Sequence, residues 1–458
     1  MKTVRIVLIV LSICNLNKTH AQGTWSALQN GLTCDLVHAC FVYSLCADTV
    51  NNVLYAGGTF KYADSIPQGR IAKWDGTQWD SIPNFGFSDV HALIMFKGNL
   101  YVGDGYINVV SLFNGTSWSY LPAFNGGVTC LGIYKDTLYA GGDFTKSDTT
   151  ALNYIAKWDG NKWQPLKTGI TGSFLQVNAM AVYHDTLFVG GYFSMVDTVP
   201  AYSIAKWDGT NWSAVGDNGI TAWSGTGHRN PDYVNALETF QDNLYVGGLF
   251  DSAGGISAEG DIVTWNGSEW GLLPAEVDNY ITALKSFDGY LFLSGGAGYF
   301  NDYITKFDGT TASAVDSGVN GVIYSITDWN GSLYVGGGFD TVAGCYDYGT
   351  AYKQIPANAI ASWTPDSTAT DIKQIGINNE LVSVYPNPAS SQLSVISNQL
   401  AIKEMTITDL LGEIVYELAS NNLGTKQTIN VRALPDGLYF LTVIANSATI
   451  TKKIVIER

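Results

Sequence analysis

Residues able to do covalent or metal chemistry are few in this chain and scattered. Histidines stand at 38, 91, 184 and 228 beyond the N-terminal segment, and none has a metal-ligating partner at helical or short-loop spacing. No Gly-x-Ser-x-Gly elbow and no phosphate-cradling loop occurs, so neither catalytic residues nor metal ligands are assigned. The notable groups are aromatic and polar. Residues 213–233 hold Trp223, His228 and Arg229, and residues 340–358 hold Tyr346, Asp347, Tyr348 and Tyr352. Exposed rings can stack on apolar sugar faces while carboxylates accept hydroxyl hydrogen bonds; the alternative is that these rings pack their loops onto the body. Asp64, Asp148 and Asp197 each follow the Phe of a Gly-Gly-x-Phe run by four residues. Recurrent loop carboxylates suit calcium. Without an Asp-x-Asp-x-Asp-Gly run, however, local turn formation is the leading expectation, and no cofactor is expected.

The elements that position these residues follow from an internal repeat. The Leu of a Leu-(Tyr/Phe) pair recurs at 54, 100, 138, 187, 244, 291 and 333, a period of about 47 residues. Each copy starts with a short apolar strand at Val42, Val90, Val128, Val177, Val234, Ile281 or Val322. A tight turn and a second strand follow, usually ending in Gly-Gly, and a longer loop leads to a third strand. An Asp-Gly hairpin signal then introduces a fourth strand. Trp pairs five apart (74/79, 158/163, 207/212, 265/270) mark strands three and four, while copy six has Phe307 and Ala312. Four antiparallel strands at this period make a β-propeller blade. The seventh copy reaches Trp363 without a fourth strand, and Gly23–Leu28 can supply it, removing an open sheet edge. The expectation is an all-β, seven-bladed β-propeller over residues 22–366. The Gly-Gly-x-Phe … Ile-Ala-x-Trp-Asp-Gly-x-x-Trp pattern resembles kelch repeats and, more fully, Rax2-like and related secreted bacterial propellers. That resemblance implies fold more than function. Loops between strands two and three, and between copies, are long and varied and share one face, where ligand contacts are expected.

The two ends read as addresses. Lys2 and Arg5, the apolar run Ile6–Cys14 and the small Ala21 have the layout of a signal peptide over 1–21, cleaved after Ala21. No later stretch is long and apolar enough for a transmembrane span. Export permits disulfides: Cys34–Cys40, or either cysteine with Cys345, would staple the ring near its closure. Residues 367–379 read as a linker. Beyond it, Val384-Tyr385-Pro386-Asn387-Pro388-Ala389, Thr408-Asp409-Leu410-Leu411-Gly412-Glu413-Ile414-Val415, Leu434-Pro435-Asp436-Gly437-Leu438-Tyr439-Phe440 and Lys452-Lys453-Ile454-Val455 occur in this order. Residues 380–458 thereby resemble the C-terminal sorting domain of the type IX secretion system. The resemblance implies a small Ig-like β-sandwich, recognition by that machinery, and a secreted or outer-membrane-surface protein of a Bacteroidetes-type bacterium.

The charge balance bounds the partners. The chain has 24 basic and 40 acidic residues, net −16, and residues 22–366 hold 14 and 32 of them. Such acidity argues against nucleic acid. The regular repeats point to a non-catalytic adhesion or binding protein for a glycan or protein ligand. The competing expectation is an extracellular polysaccharide hydrolase or lyase with carboxylates converging at the propeller mouth.

Overall fold

The computed structural model describes residues 23–35, 40–83, 86–106, 108–173, 175–216, 219–221, 233–258, 261–274, 277, 280–295, 303–316, 318–342, 355–366, 382–385, 389–397, 402–409, 414–419, 424–445 and 448–456. The signal segment, the linker, Trp223, His228, Arg229, Cys345, Tyr346, Asp347, Tyr348 and Tyr352 lie outside them. The chain divides into two compact units, 1–369 and 370–458.

In the first unit the described residues form seven four-stranded antiparallel sheets. Their first strands are Val42–Asp48, Val90–Phe96, Val128–Tyr134, Gln176–Tyr183, Tyr233–Phe240, Ile281–Phe287 and Val322–Trp329. Each packs on the first strand of the next sheet, and that of sheet seven packs on that of sheet one. This circuit is the architecture of a β-propeller, with the first strands innermost.

Gly-Gly has a steric origin in this circuit. A Cβ on Gly57 would stand 2.3 Å from Val90 of the next sheet, and one on Gly58 would stand 1.9 Å from the Phe41 carbonyl oxygen. The first glycine thus receives the neighbouring sheet's valine, and the second lets two backbones touch. At the seam, Gly336 receives Val42 in the same way, at 2.4 Å.

Strand four is held from behind. In sheet one, Asp75 Oδ1 accepts the Thr77 and Gln78 amides at 2.8 Å each, closing the Asp-Gly hairpin. Trp79 then packs at a tilt against Trp74, ring centroids 5.2 Å apart, and donates Nε1–H to the Leu28 carbonyl at 3.0 Å. Trp118, Trp163, Trp212 and Trp270 likewise donate to Pro83, Pro122, Leu166 and Val215, each in the linker behind the preceding sheet. In sheet seven this role falls to the other end of the chain. Strand Gly23–Ala27 pairs antiparallel with Ile360–Pro365, setting Trp25 opposite Trp363, and Trp25 donates to Val315 at 3.2 Å. The Trp pair of sheet seven is split between the two ends of the propeller sequence.

The second unit has two antiparallel sheets. One orders Val382–Tyr385, Gln392–Ser397 and Lys426–Asn430; the other orders Ile414–Ala419, Ile402–Thr408, Gly437–Ala445 and Ala448–Ile456. Alternating residues from both (Leu393, Val395, Met405, Ile407, Leu441, Val443, Ile454) bury into one core. Tyr439 donates its hydroxyl to the Pro435 carbonyl at 2.9 Å, tying down the Leu-Pro-Asp-Gly turn.

Candidate functional site

The long loops meet directly. Within sheet one, Tyr62–Ala63 and Ile66–Pro67 form a small hairpin, and Leu32–Thr33 from the linker before the sheet pairs onto it. Ile170–Thr171 and Ile220–Thr221 join the hairpins of sheets four and five in the same way. The linkers and the loops between strands two and three therefore form one face, as their lengths suggest. Asp64, Asp148 and Asp197 sit at the hairpin tips in the left-handed region, with φ of 54°, 49° and 52°. Asp64 accepts from Asn30 and Asp197 from Thr168, so these two carboxylates tie their hairpins to the linkers before their sheets. Among the described residues no group of three or more His, Cys, Asp or Glu is placed to hold a metal ion.

At this face every first strand carries a β-bulge at the second position of its repeat, which re-aims one side chain. The bulged residues are Tyr43, His91, Thr129, Asn178, Asn235, Thr282 and Tyr324. In sheets three to six they link neighbours. Thr129 donates to the Val177 carbonyl, Asn178 to Val234 at 3.4 Å, Asn235 to Ile281 at 3.2 Å, and Thr282 to Ile323. In sheets seven, one and two the same position is aromatic. Tyr324 and Tyr43 lie 5.5 Å apart edge to face, and Tyr43 and His91 lie 4.6 Å apart. Phe41 joins them, 5.8 Å from Tyr43 and 6.0 Å from Tyr324. The rings form a half-buried arc on one side of the circuit, and the exposed Tyr106 stands beside it.

Nearby elements fix the arc. Cys34 and Cys40 are disulfide-bonded, with Cα atoms 5.7 Å apart. Next to Cys40, Phe41 donates its amide to Thr59 Oγ1 at 3.0 Å and accepts the Thr59 amide at 2.9 Å. In sheet two Asp104 replaces the second glycine. Fully buried, it accepts the amides of Ser88 and Tyr106 at 2.8 and 2.7 Å, joining the loops on either side of His91. His91 itself packs over Gly105, where a Cβ would meet its ring at 2.8 Å.

Burial sets the ionisation of the arc. It lowers the His91 pKa below its usual 6.5, against the opposing pull of Asp89, Asp104 and Asp143. It also raises Tyr43 to about 12, helped by Asp89, Tyr324 and Tyr106. The site at neutral pH is therefore a set of neutral rings edged by carboxylates. Burial raises Asp89 while His91 and Arg70 oppose the rise. Arg70 spends donors on the Thr59 and Phe60 carbonyls.

His184 and Asp242 are also a His–Asp pair, with Nε2 to Oδ1 at 2.8 Å. They occupy the short turns at the opposite end of the first strands, 55 % and 86 % exposed. Lys97–Asp136 at 2.9 Å and Lys135–Asp185 at 3.2 Å repeat the arrangement in earlier sheets. The pair is a surface link between sheets.

The sequence pattern singled out neither Tyr43 nor Tyr324. His91 reads as a variant of Asn178, Asn235 and Thr129, and aligning copy seven at Val322 puts Ile323 in second place. The ladder shows that Ile323 is the counterpart of Val42 and Tyr324 that of Tyr43. That one-residue offset hides the arc.

No curated protein matches the chain. Solved structures similar to it include U3-55K, at 12 % identity over 76 % of this chain and 99 % of that one, TM-score 0.47. The WD40 repeats of RRP9 give 11 %, 75 %, 100 % and 0.44. The WD40 β-propeller domain of Doa1 gives 12 %, 75 %, 98 % and 0.43. These likenesses are distant and bear on no ligand. No helix among the described residues is long and apolar enough to cross a membrane. Residues 383–457 match the family of secretion system C-terminal sorting domains, which makes this a type IX-secreted protein, released or held at the cell surface of a Bacteroidetes-type bacterium.

Proposed function

We propose that this is a non-catalytic, seven-bladed secreted propeller of kelch-like or Rax2-like type that binds a glycan or protein ligand through its long-loop face. In this reading residues 1–21 are removed as a signal peptide and an Ig-like sandwich at 380–458 engages the type IX machinery. The supporting observation is the break in the ring of bulged residues. Four sheets use that position to hydrogen-bond a neighbour, while three adjacent sheets turn aromatic rings to the same mouth. The hydrogen-bonding residues each satisfy a backbone carbonyl of the next sheet, whereas the aromatic ones give that position to ring contacts. In this reading Trp223, His228, Arg229, Tyr346, Asp347, Tyr348 and Tyr352, which lie outside the described residues, extend the contact surface.

The test screens the mature protein against glycan and extracellular-protein arrays, with a turnover assay on each polysaccharide. Binding lost in Tyr43→Ala/Tyr324→Ala, with no turnover, is the expected result. Turnover abolished by Asp89→Asn would establish the hydrolase or lyase alternative instead. Retention of nothing by any array would refute the binding reading.

A further inference from the structure

The aromatic arc has a definite electrostatic character, which narrows the chemistry of its ligand. Phe41 and Tyr43 lie nearly parallel, 18° between planes, with Tyr324 at 77° and 60° to them. Ring faces carry negative quadrupole density and attract cations within about 6 Å of the centroid. The same geometry stacks on sugars, so the surroundings decide. Asp89 and Tyr106 act on Tyr43 through space, and Asp89, Asp104 and Asp143 all act on His91. The unit's own acidity adds to this field: residues 22–366 hold 32 acidic against 14 basic side chains. The basic group at hand, Arg70, donates to backbone carbonyls, and His91 is neutral at physiological pH.

Resting on the binding reading above, we infer that the arc Phe41–Tyr43–Tyr324, edged by Asp89, receives a lysine or arginine side chain of a basic segment of an extracellular protein. Neutral rings let the cation shed part of its water against polarisable faces, and Asp89 at the rim supplies the countercharge. A neutral glycan gains hydroxyl hydrogen bonds but no charge attraction from the carboxylates, and an anionic glycan is repelled by them.

The test uses the mature full-length protein and a fluorescent Gly-Lys hexapeptide, followed by anisotropy at low and physiological salt. Its acetyl-lysine counterpart and neutral cello- and chito-oligosaccharides serve as competitors. The expected result is binding of the lysine peptide and none of the acetylated one. Tyr43→Leu/Tyr324→Leu weakens binding about tenfold, and Tyr43→Phe/Tyr324→Phe stays within about twofold, since the ring face is retained. Asp89→Asn, which leaves the rings in place, weakens binding several-fold and flattens its salt dependence; it decides the matter if the Leu pair fails to fold. Equal affinity of the Leu pair and wild type overturns the inference, because the peptide is then held by diffuse charge. Oligosaccharide binding lost with the Tyr pair also overturns it while leaving the ligand-binding reading intact. Failure of every probe together with an empty array screen removes both.

Discussion

Closure of the propeller by its own N-terminus yields a quantitative expectation at Trp25. The indole is 4 % exposed, sits opposite Trp363 in a five-pair ladder and donates to Val315 at 3.2 Å. Trp25→Ala removes the largest side chain of the closing strand and leaves the Val315 carbonyl without this donor. Buried Trp→Ala substitutions cost about 3–5 kcal/mol, of which about 1 kcal/mol belongs to a hydrogen bond of this kind. Trp25→Phe keeps most of the ring and loses the donor, so about 1–2 kcal/mol is expected. Urea unfolding followed by indole fluorescence isolates the effect, because all 13 Trp of the chain lie at or before residue 363 and none reports the sorting unit. The midpoint shifts while the slope stays constant, since the same surface is exposed on unfolding. Deleting residues 23–27 should go further by freeing the edge of Ile360–Pro365, and concentration-dependent association should follow. A cost below about 0.5 kcal/mol for Trp25→Ala, the range of an ordinary surface change, would refute the view that this strand seals the ring by burial.

Further expectations concern the mouth, the sheet contacts and the tail. Replacing Cys34 and Cys40 by Ser should lower stability by about 2 kcal/mol, the chain-entropy value for so short a loop; non-reducing peptide mapping that finds both thiols alkylated would remove the basis for this. His91 has a folded pKa below its unfolded value of 6.5. The unfolded state thus binds the extra proton first, and stability should fall as pH drops through about 6.5 towards the folded pKa. His91→Asn should flatten that part of the pH–stability curve, and an unchanged slope would contradict the assignment. Gly57→Ala drives a methyl into Val90 and should cost about 1–3 kcal/mol by overpacking, read as a lower urea midpoint. Deleting residues 383–457 should abolish appearance of the protein outside the cell while leaving the propeller's unfolding free energy within about 0.5 kcal/mol of wild type.

Much of the architecture was legible because a repeat exposes its own steric demands. Gly-Gly recurs because Gly57 and its counterparts must admit a valine or isoleucine of the next sheet, and the Asp-Gly hairpin recurs because Asp75 caps two amides. The absent fourth strand after Trp363 pointed to Gly23–Leu28 for the same reason, since an unpaired edge is costly, and the strand formed is Gly23–Ala27. Side chains at the mouth obey no such periodic demand. His91 looks like a variant of Thr129 or Asn178, and Tyr43 does not stand out, until the bulge at each second position is seen to bring their rings together.

The amino-acid order by itself determined the all-β repeat, the sorting tail and the acidity confined almost wholly to the propeller, since these depend on local patterning, motif order and composition. Only the tertiary structure decided which residues meet. Tyr324 becomes a neighbour of Tyr43 through closure of the ring, and the register of its bulge rests on backbone pairing with Gly336 and Gly337. A one-residue shift in that pairing would turn the tyrosine away from the mouth, because side chains alternate along a strand.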